Sequence, residues 1–257
     1  MTLRVRLFMV AVLCCTAWSV GLAETPAPVR TPREALGLLK VGNDRFIRNA
    51  SAPVSLSAGT REELAKGQRP WAMVLSCADS RVPPEHIFNV GLGELFVIRT
   101  AGQVMDKSIL ASLESGAEHL HIPLMVVMGH ESCDAVHAAT THKGEPLGPN
   151  LDYVVKAIKV GTSRTPAERT ELRTAILANV EQVINDALTG STVLRRLVDT
   201  QKLLVVGGYY ELASGRVMFS EPASSGPAPK TAPAPKPPAP VRGPVAAREP
   251  APAPAGN

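Results

Sequence analysis

Short apolar runs alternate with amphipathic stretches along most of the chain. Four runs of four to six residues are largely apolar, as expected for strands buried on both faces of a sheet. Between them, apolar residues recur at intervals of three and four, which is typical of helices that cover a sheet. The predicted strands are residues 71–76, 95–98, 124–128 and 203–206, with a short last strand at residues 216–219.

Helix-start signals precede two of the amphipathic stretches. Thr31 begins a capping box with Glu34 and predicts a helix that ends near Asn49. A second box begins at Thr60 and predicts a short helix that ends at Gly67. Further helices are expected at residues 109–120, 135–141 and 168–187.

The alternation of strands and helices predicts the fold class. We expect an α/β fold with a mostly parallel central sheet of about four strands plus a short edge strand, flanked by helices and preceded by an N-terminal helical arm. In such sheets, ligands bind beyond the carboxyl ends of the strands. Residues that directly follow a strand are therefore the first candidates for chemistry.

Both ends of the chain differ in composition from the middle. Residues 1–23 carry Arg4 and Arg6 ahead of an apolar run, which predicts a secretory signal peptide and a secreted, periplasmic protein. An uncleaved membrane anchor is the alternative, although the run is short for a bilayer span. Residues 222–257 are mostly Pro and Ala with spaced basic residues, which predicts a disordered basic tail. One folded domain is expected over residues 24–221.

The formal net charge of +4 owes much to the basic residues of this tail. It is therefore weak evidence for nucleic-acid binding, and we predict no nucleic-acid partner. The tail could contact an anionic component of the cell envelope, or it could be a solvated linker.

The number and position of the cysteines favour a metal site over a disulfide. Cys14 and Cys15 lie in the predicted signal peptide, so the mature chain would keep only Cys77 and Cys133. Two cysteines in a secreted protein ordinarily suggest a disulfide or a redox pair. Here each follows an apolar run and has other metal-ligand residue types nearby, which favours a metal site.

The donor types around these cysteines suit zinc. His130 lies three positions before Cys133, so Cys77, Cys133 and His130 offer two thiolates and one imidazole. Such ligands prefer tetrahedral Zn²⁺, and three protein ligands leave a fourth position for water or substrate, as in catalytic sites. We predict one Zn²⁺ per chain.

Asp79 and Arg81 follow Cys77 by two and four residues. The carboxylate of Asp79 could orient a water molecule at the metal, or it could itself become the fourth ligand. Arg81 decides between the two states, because a paired Asp79 is held away from zinc and a released one can bind it. An ordinary ion pair within the loop is the alternative.

Two ordered motifs carry a family resemblance. They are Cys-Ala-Asp-Ser-Arg-Val-Pro at residues 77–83 and Gly-His-Glu-Ser-Cys at residues 129–133. Shorter matches at residues 42–46, 93–96 and 207–210 support them. On these motifs the chain resembles the β-class carbonic anhydrases, from about residue 31 to residue 221.

This resemblance implies a zinc lyase that reversibly hydrates carbon dioxide to bicarbonate and a proton, by attack of zinc-bound hydroxide on carbon dioxide. It implies Cys77, His130 and Cys133 as zinc ligands. Asp79 would accept the proton of the nucleophile, and Arg81 would hold that carboxylate in place. Asp79 would bind zinc only in a closed state.

The resemblance also implies a substrate pocket and an assembly. Carbon dioxide is expected in a small apolar pocket near Val82, Phe96 and Gly102. Gln68 and Phe96 match positions that in many family members line the pocket across an interface between two copies. A homodimer or a multiple of dimers is therefore expected.

Three residues depart from the usual family pattern. Ser115 stands where Tyr is frequent, which predicts a wider pocket wall. Gln103 replaces a common Asn, and Asp134 replaces a common Gly directly after Cys133, which places a carboxylate near the metal.

Two other functions use the same residues. Asp79 locked on zinc would give a closed structural site in a non-catalytic binding or scaffold protein. Alternatively, Cys77 and Cys133 would form a redox pair without metal.

Overall fold

The computed structural model describes residues 31–142, 144–158 and 172–223. The predicted signal peptide, the expected start of a helix at residue 168 and the tail beyond residue 223 lie outside these ranges. Within them, no helix combines the length and the apolar character that a bilayer span requires.

A five-stranded sheet forms the centre of the described chain. Its strands are β1 (Ala72–Cys77), β2 (Leu95–Thr100), β3 (Leu124–His130), β4 (Leu204–Tyr210) and β5 (Val217–Phe219). They lie in the order β2-β1-β3-β4-β5, with β1 to β4 parallel and β5 antiparallel to β4. The predicted fold class, four mostly parallel strands plus a short edge strand, is confirmed.

Helices cover both faces of this sheet. The helices are α1 (Pro32–Ile47), α2 (Ala58–Leu64), α3 (Pro84–Ile87), α4 (Lys107–Glu118), α5 (Asp134–Thr141), α6 (Pro149–Ala157), α7 (Leu172–Gly190) and α8 (Thr192–Asp199), with a 3₁₀ turn at Ala101–Gln103. The sequence patterns did not predict α3, α6 and α8.

The N-terminal helix α1 begins as predicted. The Thr31 hydroxyl accepts from the Glu34 amide at 3.2 Å, and the Glu34 carboxylate accepts from the Thr31 amide at 2.9 Å. Farther along α1, the buried Asn43 amide donates to the carbonyls of Ile87 and Gly215 at 3.2 and 2.8 Å and accepts from the Val217 amide. This side chain ties α1 to α3 and to the edge of the sheet.

The predicted cap of α2 is wrong by three residues. The helix begins at Ala58, and the N-cap is Ser57, whose hydroxyl accepts from the Thr60 amide at 3.1 Å. Thr60 therefore lies inside the first turn. Ser57 has the extended backbone that an N-cap requires, so its hydroxyl can reach that amide.

Side chains alternate between two cores along the central strand β1. Met73 and Leu75 pack with residues of α4, α7 and α8, whereas Ala72 and Val74 pack with residues of α1 and α3. Because helices cover both faces, every residue of β1 and β3 is buried. This rigid pair of strands carries the candidate site at its carboxyl ends.

Candidate metal centre

Neighbouring strands deliver the three predicted zinc ligands to one place. Cys77 is the last residue of β1 and His130 is the last residue of β3. Because these strands are adjacent and parallel, their carboxyl ends meet at the same edge of the sheet. Cys133 follows three residues later as the N-cap of α5.

The donor atoms form a compact, buried cluster. The ligand atoms of Cys77, His130 and Cys133 all lie within 4.8 Å of one another, and the two Sγ atoms are 4.0 Å apart. Two thiolates bound tetrahedrally at a Zn–S distance of ~2.3 Å lie about 3.8 Å from each other, so this separation suits a shared zinc ion. The three residues are at most 5 % exposed.

The His130 ring is oriented for metal binding. Its Nδ1 atom lies 2.8 Å from the carbonyl oxygen of Glu131, which accepts a hydrogen bond when Nδ1 carries the proton. Nε2 then presents a lone pair to the two sulfur atoms, and among the described residues it has no hydrogen-bond partner. A buried ring nitrogen without a partner is costly, and a metal ion bound there would remove that cost. Zinc therefore fits the residues present.

The two thiols strongly influence each other. The hydrogen bond from Cys133 lowers the pKa of Cys77 to about 4 against the opposing effect of burial, with smaller help from His130 and from the amides of Asp79 and Gly102. The same contact, together with burial, raises the pKa of Cys133. The pair thus loses one proton readily and keeps the second. A divalent cation would let both sulfurs ionise.

Asp79 is held by Arg81. The guanidinium donates from Nε to Oδ1 at 2.9 Å and from Nη2 to Oδ2 at 2.6 Å, and the Arg81 amide donates to Oδ1 at 2.8 Å. These hydrogen bonds, the side-chain ones above all, lower the pKa of Asp79 to about 2. Asp79 Oδ2 also lies 3.9 Å from His130 Nε2, which places an anionic oxygen beside the candidate metal ligands.

Only part of the expected pocket comes together within one chain. The Gly102 amide lies 3.4 Å from Cys77 Sγ, and Val82 is fully buried among the residues that pack under α1 and α3. Phe96 on β2 lies opposite Met73 on β1, and Met73 is four residues before Cys77. That offset corresponds to about 13 Å along the strand.

Gln68 lies still farther from the metal ligands along the chain. It is exposed and precedes the amino end of β1, whereas Cys77 ends that strand. The structure therefore does not bring Gln68 and Phe96 to the metal ligands of their own chain.

The three departures from the family pattern have different surroundings. Ser115 is exposed on α4. Asp134 is exposed in the first turn of α5, and its charge raises the pKa of Arg81, although less than Asp79 does. Gln103 is fully buried at a positive φ of 48°, and its amide has no hydrogen-bond partner among the described residues.

Arg99 is a residue of the site that the sequence patterns do not predict. Its Nε atom donates to the Cys77 carbonyl at 2.9 Å, and its Nη2 atom donates to the Asp79 carbonyl. The sequence shows only an arginine near the end of an apolar strand. The register of β1 and β2, in which Arg99 lies opposite Ser76, is the signal that brings it to the site.

Comparisons with known proteins agree with this geometry. The carbonic anhydrase family model matches residues 72–217. Carbonic anhydrase 2 of Mycobacterium tuberculosis is 34 % identical over 200 residues, covering 76 % of this chain and 95 % of that protein.

Solved structures share the fold. A β-carbonic anhydrase of Aspergillus fumigatus superimposes with a TM-score of 0.56 at 24 % identity, covering 75 % of this chain and 91 % of that one. A structure described among two tetrameric β-carbonic anhydrases of Sordaria macrospora gives a TM-score of 0.55 at 24 % identity, covering 64 % and 87 %.

Proposed function

The chain belongs to the β-carbonic anhydrase family, and from that membership we propose that it catalyses the zinc-dependent, reversible hydration of carbon dioxide to bicarbonate and a proton. The observation that carries the proposal is the buried cluster of Cys77, His130 and Cys133, whose ligand atoms lie within 4.8 Å of one another. The Asp79–Arg81 pair beside this cluster supplies the polar groups that such a reaction needs.

Zinc would be held by Cys77 Sγ, Cys133 Sγ and His130 Nε2. When bound, it acts as a Lewis acid that lowers the pKa of a water molecule and so makes a nucleophile available near neutral pH. The Glu131 carbonyl fixes the His130 ring, and the Gly102 amide donates toward Cys77 Sγ. Hydrogen bonds of this kind orient metal ligands and adjust their basicity.

Asp79 orients the nucleophile. Its Oδ2 atom accepts a hydrogen bond from the attacking oxygen, which directs the remaining lone pair toward carbon dioxide. Because Arg81 lowers the pKa of Asp79 to about 2, the carboxylate is a weak base. We therefore assign it an orienting role, with the proton passing on to buffer.

The Asp79–Arg81 pairing favours an open site over a closed one. Arg81 binds both carboxylate oxygens and also donates from Nη2 to the Ser132 carbonyl at 3.2 Å. To become the fourth zinc ligand, Asp79 would have to give up these charge-assisted bonds. The closed, non-catalytic scaffold is the second candidate function, because the same carboxylate lies 3.9 Å from His130 Nε2.

We propose a homodimer, or a multiple of dimers, with carbon dioxide bound near Val82, Gly102 and a Phe96 supplied by the second copy. The strand β2 is at the edge of the sheet, and its apolar residues 95–98 are only half-buried. An open apolar edge is a surface on which another chain can pair. Phe96 on β2 and Gln68, which precedes β1, lie too far from the candidate metal ligands of their own chain to reach them, but a second copy could bring them there.

This assembly has a direct test. Phe96→Asp should shift the mass of the purified protein in light scattering from a dimer or larger species toward a monomer, and it should lower activity. A wild-type protein that is monomeric at micromolar concentration contradicts the assembly.

The two ends of the chain have proposed roles in export and in contact with the cell envelope. We propose that residues 1–23 direct the chain to the periplasm and are removed, and that the tail from residue 222 contacts an anionic component of the cell envelope. Mass spectrometry of the protein from a periplasmic fraction should show a mature chain that begins at residue 24. A chain that ends at residue 221 should lose any co-sedimentation with envelope fragments.

Stopped-flow measurement of carbon dioxide hydration between pH 7 and 9 tests the function. The zinc-loaded wild type should accelerate hydration, and Asp79→Ala and Arg81→Ala should lower kcat by about 10²-fold, because a reacting group that is no longer oriented can cost that much. Equal and negligible activity in all three proteins, each with one zinc per chain, would support the closed scaffold instead.

A further inference from the structure

We propose that Arg99 is a positioning residue for the hydration reaction. Its guanidinium holds the carbonyls of Cys77 and Asp79 in a fixed relation, and this grip keeps the Asp79 carboxylate on Arg81 and away from the metal. The inference rests on the proposed function, because it assigns to Arg99 the control of the open site.

The geometry places one planar group on two carbonyls of the site loop. Arg99 projects from β2 beside the carboxyl end of β1, where Nε donates to Cys77 at 2.9 Å and Nη2 donates to Asp79. The first carbonyl belongs to a metal ligand and the second to the residue that faces the vacant position. A single side chain therefore connects the two.

Backbone hydrogen bonds hold both ends of this loop, and Arg99 adds a side-chain link between two of its carbonyls. The Ala78 amide donates to the Thr100 carbonyl at 3.0 Å, and the Val82 amide donates to the Asp79 carbonyl at 3.0 Å. These bonds fix the beginning and the end of the turn. Among the side chains whose contacts the structure describes, only the Arg99 guanidinium bonds to the carbonyls of both Cys77 and Asp79.

The chemistry of the guanidinium explains why arginine is needed. Its donors form a rigid fork, so Nε and Nη2 can satisfy two acceptors at a fixed spacing. A lysine carries the same charge on one atom and cannot hold both carbonyls in the same way. An electrostatic role would be met by either residue, whereas a positioning role requires the fork.

The test compares Arg99→Met and Arg99→Lys with the wild type, each assayed as the zinc-loaded protein. Arg196→Lys is the matched control, since Arg196 also binds an acceptor, the Glu118 carboxylate, at 2.6 Å, with a side chain that is 51 % exposed. Zinc content, kcat and KM are measured for each protein. A misplaced reacting group can cost about 10²-fold in rate, so Arg99→Met should lose about 10- to 100-fold in kcat with little change in KM and with zinc near one per chain.

A second measurement does not depend on catalysis: it tests whether an external anion can bind to the metal. Azide is titrated into the Co²⁺-substituted proteins, and its binding is followed by visible absorption. If Asp79 occupies the metal in about 90 % of Arg99→Met molecules, the apparent azide Kd rises about tenfold. Adding Asp79→Asn to Arg99→Met should restore the wild-type azide affinity, because an amide is a poor competitor for the metal.

The possible outcomes distinguish the positioning role of Arg99 from the proposed function. Wild-type azide affinity in Arg99→Met, or full recovery of kcat and azide binding by Arg99→Lys, overturns the positioning role. If Arg99→Met does not fold, Arg99→Lys alone carries the test and should still show weakened azide binding and lower kcat. A wild-type protein that binds zinc but hydrates no carbon dioxide would contradict the proposed function. The azide titration would still decide whether Arg99 keeps Asp79 away from the metal.

Discussion

The carboxylate of Asp79 and the ring of His130 face each other at 3.9 Å, between Oδ2 and Nε2. This distance is too long for a hydrogen bond, and Nε2 has no hydrogen-bond partner among the described residues. A zinc ion held by His130 Nε2 would therefore have the Asp79 carboxylate as a close neighbour. Arg81 and Arg99 hold Asp79 from its side chain and from its backbone, respectively.

The Asp79–Arg81 pair should make part of the stability depend on pH. Because Arg81 lowers the pKa of Asp79 to about 2, the folded state favours the ionised carboxylate more than the unfolded state does. This contribution is present above the ordinary carboxyl pKa of about 3.9 and is lost as the pH falls toward 2. Thermal unfolding of wild type and Arg81→Met should differ most at neutral pH and converge at low pH. A difference that grows on acidification would contradict the pairing.

Two glycines of α1 should respond in opposite ways to alanine. A Cβ on Gly42 would lie 1.8 Å from the Phe88 carbonyl oxygen, whereas a Cβ on Gly37 would meet nothing within 4 Å. Gly42→Ala should therefore destabilise the protein by at least about 2 kcal/mol, because the backbone of α1 or of Phe88 must move.

Gly37→Ala is the matched control on the same helix. It should stabilise the protein by about 0.5–1 kcal/mol, the usual gain at an exposed helical position. Urea unfolding measures both changes. Equal effects of the two substitutions would show that α1 does not pack on the end of α3 as described.

Asp106 should stabilise α4 as its N-cap. Its carboxylate accepts from the amides of Ser108 and Ile109 at 2.8 Å and from the Ser108 hydroxyl, and these bonds lower its pKa. Asp106→Ala should cost about 0.5–2 kcal/mol at neutral pH, measured by urea unfolding.

Asp106→Asn keeps the cap and should cost less, because asparagine is as good an N-cap as aspartate. The lowered pKa of Asp106 means that its charge stabilises the fold above the ordinary carboxyl pKa and that this contribution fades on acidification. An Asn variant as unstable as the Ala variant would contradict the capping role.

The sequence predicts the cluster of Cys77, His130 and Cys133 better than it predicts the helices around it. The apolar runs predict the parallel strands, because burial on both faces leaves a continuous hydrophobic signal in the central ones. Since parallel strands end at one edge, the same runs also bring Cys77 and His130 together. The remaining candidate ligand, Cys133, follows from its spacing to His130.

What the sequence does not show depends on tertiary contacts. The cap at Ser57 instead of Thr60 depends on local backbone conformation, because both residues can serve as caps. The role of Arg99 depends on strand register, and the burial of Gln103 depends on the 3₁₀ turn that packs against the sheet. The pocket would be completed only by a second copy of the chain, so the contacts within one chain do not show it.

The central claim is that two sulfurs and one ring nitrogen bind a single zinc ion. It is tested most directly by measuring zinc by elemental analysis and free thiols by titration on the same sample of purified mature protein. We predict about one zinc per chain, with two thiols that become reactive only after the metal is removed, as expected for a three-ligand catalytic site. Metal-free protein in which Cys77 and Cys133 are joined in a disulfide would contradict the account.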